Sequence, residues 1–150
     1  WIHSGDSRIY HFRKGRLLTR TRDHSHVQEL LNRGEINARQ AVGHRESNLL
    51  TGCLGMDAEP PIDLSSIAQL EVGDVILSCS DGLWAYFPDT ELAKLTAALT
   101  PVDACRQLLD AARTRAAGKG DNVSLAIVKV GPPSKSVAAE EESSLLDFKW

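Results

Sequence analysis

Val75-Ile76-Leu77-Ser78-Cys79-Ser80-Asp81-Gly82 carries an apolar run into an aspartate and a glycine. The continuous apolar character predicts a buried strand in a central position covered on both faces, with Asp81 at its exit. A second aspartate, in Gly120-Asp121-Asn122, stands just before another apolar run over 123–130. A carboxylate at the C-terminal tip of one strand and another at the N-terminal tip of its antiparallel neighbour can converge on one point. Magnesium and manganese prefer such oxygen ligands, keep several waters and take only a few protein groups each. Asp81 and Asp121 therefore read as part of a metal site. Taken singly, Asp-Gly after a strand is a common turn and Asp-Asn before one a common cap, so neither motif decides alone. Asp6, in Gly5-Asp6-Ser7-Arg8, reads by itself as a hairpin turn whose side chain accepts local backbone N–H bonds.

Working outward, 1–3, 8–12 and 17–19 are short β-type segments punctuated by Gly5-Asp6 and Lys14-Gly15, which predicts an opening antiparallel meander. Asp23 or Ser25 can cap a helix through Val27, Leu30 and Leu31 that stops at Gly34, and a short second helix is expected over 37–42. The stretch 48–54 reads as extended, and Pro60-Pro61 excludes regular structure at that point because proline has no N–H to donate. Pro88-Asp89-Thr90-Glu91 opens a helix through Leu92, Leu95 and Leu99, and Pro101 with Asp103 opens another through Cys105, Leu108, Leu109 and Ala112. Gly118-Lys119-Gly120 breaks it, and 121–130 returns to strand. Strands, helices, strand, helices, strand is a segregated order that predicts an α+β fold with antiparallel sheet.

The chain has 150 residues, enough for one core, and no hydrophobic stretch approaches the ~20 residues that cross a bilayer. A formal charge of −3 arises from mixed signs, so no strong field draws nucleic acid or an anionic membrane. Three cysteines, Cys53, Cys79 and Cys105, are an odd number without C-x-x-C spacing and lie in apolar or helical runs; reduced core thiols and a cytoplasmic location are expected. Strand-like sequence already at Trp1, without an initiator methionine or signal peptide, reads as the later part of a longer polypeptide. Residues 131–150 open on Gly131-Pro132-Pro133-Ser134 and turn small, polar and acidic, the composition of a flexible tail.

These pieces occur together and in order, and there the sequence resembles the metal-dependent serine/threonine phosphatases of the protein phosphatase 2C family. The resemblance rests on Gly5-Asp6-Ser7-Arg8-Ile9-Tyr10, Leu18-Thr19 with Asp23-His24-Ser25, Leu54-Gly55, Gly73-Asp74 leading to Leu77-Ser78-Cys79-Ser80-Asp81-Gly82-Leu83-Trp84, and Gly120-Asp121-Asn122-Val123-Ser124. It covers roughly residues 1–130, about the carboxy-terminal half of that family's domain. It implies two antiparallel sheets in a β-sandwich flanked by helix pairs, present here as a partial domain. It also implies a centre of two Mg²⁺ or Mn²⁺ ions with Asp81 and Asp121 as ligands and Asn122 and Gly82 beside them. The substrate it implies is a phosphorylated protein, hydrolysed at phosphoserine or phosphothreonine by attack of water without a covalent enzyme intermediate. Asp6 resembles a ligand of a weaker third metal, although Ala85 stands where that site often has an aspartate. The family's remaining ligands, its phosphate-binding arginine and its histidine general acid lie upstream, so the upstream half is expected to be needed for activity. The rival reading is a catalytically silent, phosphatase-like regulatory or scaffolding module.

Other candidates read as structural. His24 and His26, with no cysteine beside them, are expected at a solvated helix start rather than in a zinc site. Arg13, Lys14, Arg16, Arg20 and Arg22 read as a solvated hairpin, with an acidic or phosphorylated partner second. Trp84, Tyr86 and Phe87 lack interleaved basic residues and read as core or loop anchors, not a base-stacking platform. Ser78 and Ser80 lack a Gly-x-Ser-x-Gly elbow, and Gly118-Lys119-Gly120 lacks P-loop spacing.

Overall fold

A computed structural model describes residues 1–67 and 69–132. The expectations for the tail from 133 onward lie outside the described residues. In chain order the elements are β1 (Ile2–His3), β2 (Arg8–Arg13), β3 (Arg16–Arg20), α1 (His26–Arg33), α2 (Ala38–Ala41), β4 (Asp63–Leu64), β5 (Val75–Cys79), α3 (Asp81–Trp84), α4 (Asp89–Ala98), α5 (Pro101–Ala116) and β6 (Leu125–Lys129). The class is α+β with antiparallel pairing throughout: a four-stranded sheet in the order β3-β2-β5-β6 and a two-stranded sheet of β1 with β4.

Local chemistry explains most boundaries. Lys14 and Gly15 both take positive φ, 51° and 70°, the two-residue turn whose twist suits the β2–β3 hairpin. Ser25 caps α1 by accepting the Gln28 N–H, and Gly34 closes it in the left-handed region. Asn37 and Gln40 cap α2 reciprocally. Thr100 caps α5, with Pro101 occupying a first-turn position that needs no N–H donor.

The opening meander is corrected. Gly5-Asp6 is not a hairpin turn: β1 leaves the main sheet and pairs with β4, setting His3 opposite Asp63. The connection therefore crosses between two sheets, and Asp6 lies in that crossing. Within 48–54 only Leu50 bridges, to Ser25. The expected strand over 121–130 begins four residues late, at Leu125, which leaves Asp121 in irregular chain.

The core forms on one face of the main sheet. Tyr10 and Phe12 from β2 and Val75, Leu77 and Cys79 from β5 are buried against Leu83, Phe87, Leu92, Ala93, Leu108 and Ala112. Ile76 and Ser78 on β5 are only partly covered and Val128 is 62% exposed, so β5 alternates instead of being covered on both faces among the described residues. Lys129 donates to the carbonyls of Ala97 (2.8 Å) and Leu99 (3.2 Å), tying β6 to the end of α4. Part of the basic hairpin is not merely solvated. Arg13 bridges Asp74 and Glu71, and Arg20 pairs with Asp89.

Candidate functional site

β5 and β6 are antiparallel neighbours in the register Cys79↔Leu125, so the exit of one and the approach to the other lie at the same edge. Ser80 stitches that edge together. Its N–H donates to the Ser124 carbonyl (3.0 Å), its hydroxyl donates to the Asn122 carbonyl (3.2 Å), and the hydroxyl oxygen accepts the Ser124 N–H (3.0 Å). The chain then enters α3, a single helical turn that begins at Asp81.

Gly82 shows how closely the two segments meet. A β-carbon there would lie 2.4 Å from the Asn122 carbonyl oxygen and 3.3 Å from that of Asp121. Only a residue without a side chain allows α3 to rest on the 121–122 backbone, so this glycine serves close approach rather than an unusual φ. Each carboxylate is oriented by the amide that follows it. Asp81 Oδ1 accepts the Gly82 N–H at 2.8 Å, and Asp121 Oδ1 accepts the Asn122 N–H at 2.6 Å. Asp81 and Asp121 line one cavity of about 380 Å³, with Asn48, Ala85, Tyr86 and Lys119 among its walls.

Asp6 reaches the same neighbourhood from the crossing between the sheets. Its carbonyl accepts the Trp84 indole N–H at 2.9 Å, which binds the crossing to α3. Burial, then the negative charges of Asp81 and Asp23, hold its carboxyl above the ordinary carboxylate range. Trp84 is itself held: the Arg8 guanidinium lies 3.5 Å above its ring and forks onto Asp23 at 2.8 and 2.7 Å.

Among the described residues none of Asp6, Asp81 and Asp121 has an Arg, Lys or His partner within 4.0 Å, although Arg8 and Lys119 are near. Neighbouring carboxylates without a counter-ion fit a hard divalent cation, which supplies the missing positive charge. They do not close on a single ion, since their oxygens do not form a trio within 4.8 Å of one another. The arrangement places carboxylates of two separate segments on the wall of one cavity.

Among the described residues, the trio that does close to 4.8 Å is His3, His24 and Asp63. No local pattern announces it, because β4 is two residues long and follows a proline pair. The histidine reading is corrected here. The His24 side chain is 13% exposed, packed 4.9 Å from the His3 ring and 3.4 Å from Asp63, and does not sit at a solvated helix start. His26 meets Glu46 instead. His3 is buried, and neither of its ring nitrogens has a partner among the described residues; burial and then His24 push it below the ordinary histidine range.

No protein-family model matches the chain. Individual proteins do. A putative protein phosphatase 2C-type from Streptococcus pyogenes is 33% identical over 129 residues, 85% of this chain and 51% of that protein. The structure of the S. agalactiae serine/threonine phosphatase superimposes with a TM-score of 0.75 at 35% identity, covering 86% of this chain and 52% of that one. The catalytic domain of the serine/threonine protein phosphatase PstP in complex with two manganese ions gives 0.67 at 30% identity, covering 87% and 53%. The chain spans between a third and about half the length of the curated relatives it matches.

Proposed function

We propose that this chain, which spans about half the length of the protein phosphatase 2C-type and serine/threonine phosphatase relatives it matches, supplies one side of a phosphatase centre that hydrolyses phosphoserine or phosphothreonine in proteins. Asp81 and Asp121 hold Mg²⁺ or Mn²⁺ there, Asp6 provides a further oxygen, and residues upstream complete the shell. The observation that carries this reading is that Asp81 and Asp121, neither with a cationic partner among the described residues, line one cavity beside the close backbone approach at Gly82. The PstP structure with two manganese ions supports the choice of metal.

Bound ions of this kind polarise the phosphoryl group and lower the pKa of a bound water to make a nucleophile near neutral pH. The chain's own residues prepare the place. The Gly82 and Asn122 amides each occupy one oxygen of the adjacent aspartate and leave the other free to turn into the cavity. Ser80 holds the 122–124 segment against the end of β5, so the two carboxylates keep their spacing. Lys119, on the same wall, adds positive charge where a phosphoryl dianion would enter.

The test compares the 150-residue chain with the full-length protein, each with Mn²⁺, on a phosphothreonine peptide and an aryl phosphate. The chain alone should be inactive and the full-length protein active, with Asp81→Asn or Asp121→Asn abolishing turnover. A full-length protein that binds Mn²⁺ yet cleaves neither substrate would favour the silent module, to which the exposed Ala85 in the cavity wall already lends some weight.

A further inference from the structure

The His3–His24–Asp63 cluster has the donor atoms of a transition-metal site, but its hydrogen bonding assigns it another task. His24 Nδ1 accepts the Gly5 N–H at 3.1 Å. That bond requires a lone pair on Nδ1, so in the neutral ring the proton sits on Nε2, which faces Asp63 Oδ2 at 3.4 Å. A cation on Nε2 would have to expel this proton and make the ring give up Gly5. The ring is instead set by the Gly5 N–H at one nitrogen, with the Asp63 carboxylate 3.4 Å from the other.

Gly5 is held twice by the same residue. The His24 N–H donates to the Gly5 carbonyl at 2.8 Å, while the ring takes the Gly5 N–H. Gly5 adopts φ +110°, a conformation that L side chains rarely enter and that therefore needs holding. The next residue is Asp6, whose own carbonyl is taken by Trp84. The peptides on both sides of the Asp6 α-carbon are thus pinned, one by the His24 backbone N–H and one by the helical turn that carries Asp81, while the His24 ring holds the peptide just before Gly5. His3 supports the ring from beneath at 4.9 Å between centroids, and the β1–β4 register places Asp63 directly opposite His3.

We propose that His24 is a positioning residue: oriented by Asp63, it clamps Gly5 so that the Asp6 carboxylate is presented to the cation held by Asp81. This rests on the phosphatase reading above for what Asp6 does, and not for the clamp itself. The cluster then aims a ligand by holding the residue that precedes it.

Two substitutions separate the ring's contacts. In the full-length protein, His24→Asn keeps an acceptor near the Nδ1 position and loses the reach to Asp63. His24→Gln keeps polar reach toward Asp63 and loses the acceptor at Gly5. Amide exchange at Gly5, followed by NMR, reads the clamp without reference to activity. The Mn²⁺ concentration for half-maximal turnover and Mn²⁺ titration calorimetry read its consequence. Losing one such bond is worth roughly five- to tenfold. His24→Gln should speed Gly5 exchange and raise the Mn²⁺ midpoint by about that factor, with kcat at saturating Mn²⁺ within about twofold of wild type, whereas His24→Asn should stay near wild type in both. Asp63→Ala, at a site more than half exposed, threatens the fold least and should shift both readouts the same way by about two- to threefold.

Unchanged Gly5 exchange in His24→Gln, or equal damage from His24→Asn and His24→Gln, overturns the clamp. Faster exchange with an unmoved Mn²⁺ midpoint overturns its link to the cation. A wild-type protein that takes up no Mn²⁺ by calorimetry overturns the phosphatase reading and, with it, the aiming of Asp6, while the exchange comparison still decides the clamp on its own.

Discussion

Gly82→Ala sets two physical effects against each other with opposite signs. Gly82 lies in the helical turn Asp81–Trp84, and alanine in a helix is ordinarily more stable than glycine by about 0.5–1 kcal/mol. The structure predicts the reverse. A β-carbon here would stand 2.4 Å from the Asn122 carbonyl oxygen and 3.0 Å from its carbon, where ordinary contact begins at 3.4 Å. The shortfall to the oxygen is 3.4 minus 2.4, or 1.0 Å, and the obstacle is backbone, which cannot swing aside as a flexible side chain does. Relief must come by pushing 121–122 away from α3, against the three hydrogen bonds that Ser80 makes to Asn122 and Ser124. Overpacking of this kind costs about 1–3 kcal/mol, which exceeds the propensity gain. The net expectation is a loss of about 1–2 kcal/mol, read as a lower urea midpoint at constant m value. The displacement also carries Asp121 away from Asp81 by about an ångström, a misplacement that can cost about 100-fold in turnover of the full-length protein. Ala85→Ser, exposed on the same cavity wall, is the control and should change stability little. A Gly82→Ala protein as stable as wild type, or more so, with unchanged Mn²⁺ binding would refute the contact and the convergence inferred from it.

Asp81→Asn and Asp121→Asn should leave the melting temperature nearly unchanged, since neither carboxylate has a cationic partner among the described residues. Either should weaken Mn²⁺ binding, measured by calorimetry on the full-length protein, by more than the roughly 10–100-fold typical of a group that only orients a ligand. Asp74 is fully buried and accepts from Arg13 (2.7 and 2.8 Å), from the Glu71 N–H (3.0 Å) and from His11 (2.9 Å), while Arg13 keeps Glu71 and partial exposure, so Asp74→Ala should cost about 1–3 kcal/mol in urea unfolding. The Arg13 guanidinium foremost holds the Asp74 carboxyl well below the usual carboxylate range. A depressed folded-state value means that its stabilisation is complete above about pH 5 and drains away as pH falls below about 4; urea midpoints across that window should fall in wild type and much less in the variant. Burial pushes the Cys79 thiol up to about 12, so a thiol reagent at neutral pH should leave it unmodified in the folded protein while reaching the partly exposed Cys53 and Cys105; rapid native labelling of Cys79 would contradict its place in the core.

How much of the fold could be read in advance follows from the range of the interactions that set it. Helices α1 and α5 announce themselves through caps and apolar spacing within a dozen residues, α4 through Pro88 with the acidic first turn that follows it, and the Lys14-Gly15 turn through its own backbone preference. The pairing of β1 with β4 joins residues some sixty positions apart through two-residue strands too short to show a period. Gly5-Asp6 therefore looked like a hairpin turn, and no local rule distinguishes a chain that reverses from one that crosses to another sheet. The even burial expected for β5 failed for a related reason: an apolar run records what a strand can bury, not what covers it, and Ile76 and Val128 face outward among the described residues.

The site divides along the same line. Asp81 and Asp121 were legible because each stands at the end of an apolar run, and antiparallel order alone puts such ends together. What brings their segments into contact, the bare α-carbon of Gly82 under the Asn122 carbonyl, is visible only in three dimensions. The residues that aim Asp6 left no trace. By sequence His24 reads as a solvated residue at a helix start and nothing marks Asp63, because a ring nitrogen that accepts from Gly5 and another that faces Asp63 have meaning only once β4 has folded beside β1. Ligands are chosen by chemistry that a sequence displays, carboxylates for a hard cation. The groups that orient them need only a lone pair or a proton in the right place, which many side chains can offer, and the fold decides which one does. For that reason the structure adds most to the reading of this chain one contact away from the carboxylates, at the pinned peptides on either side of Asp6.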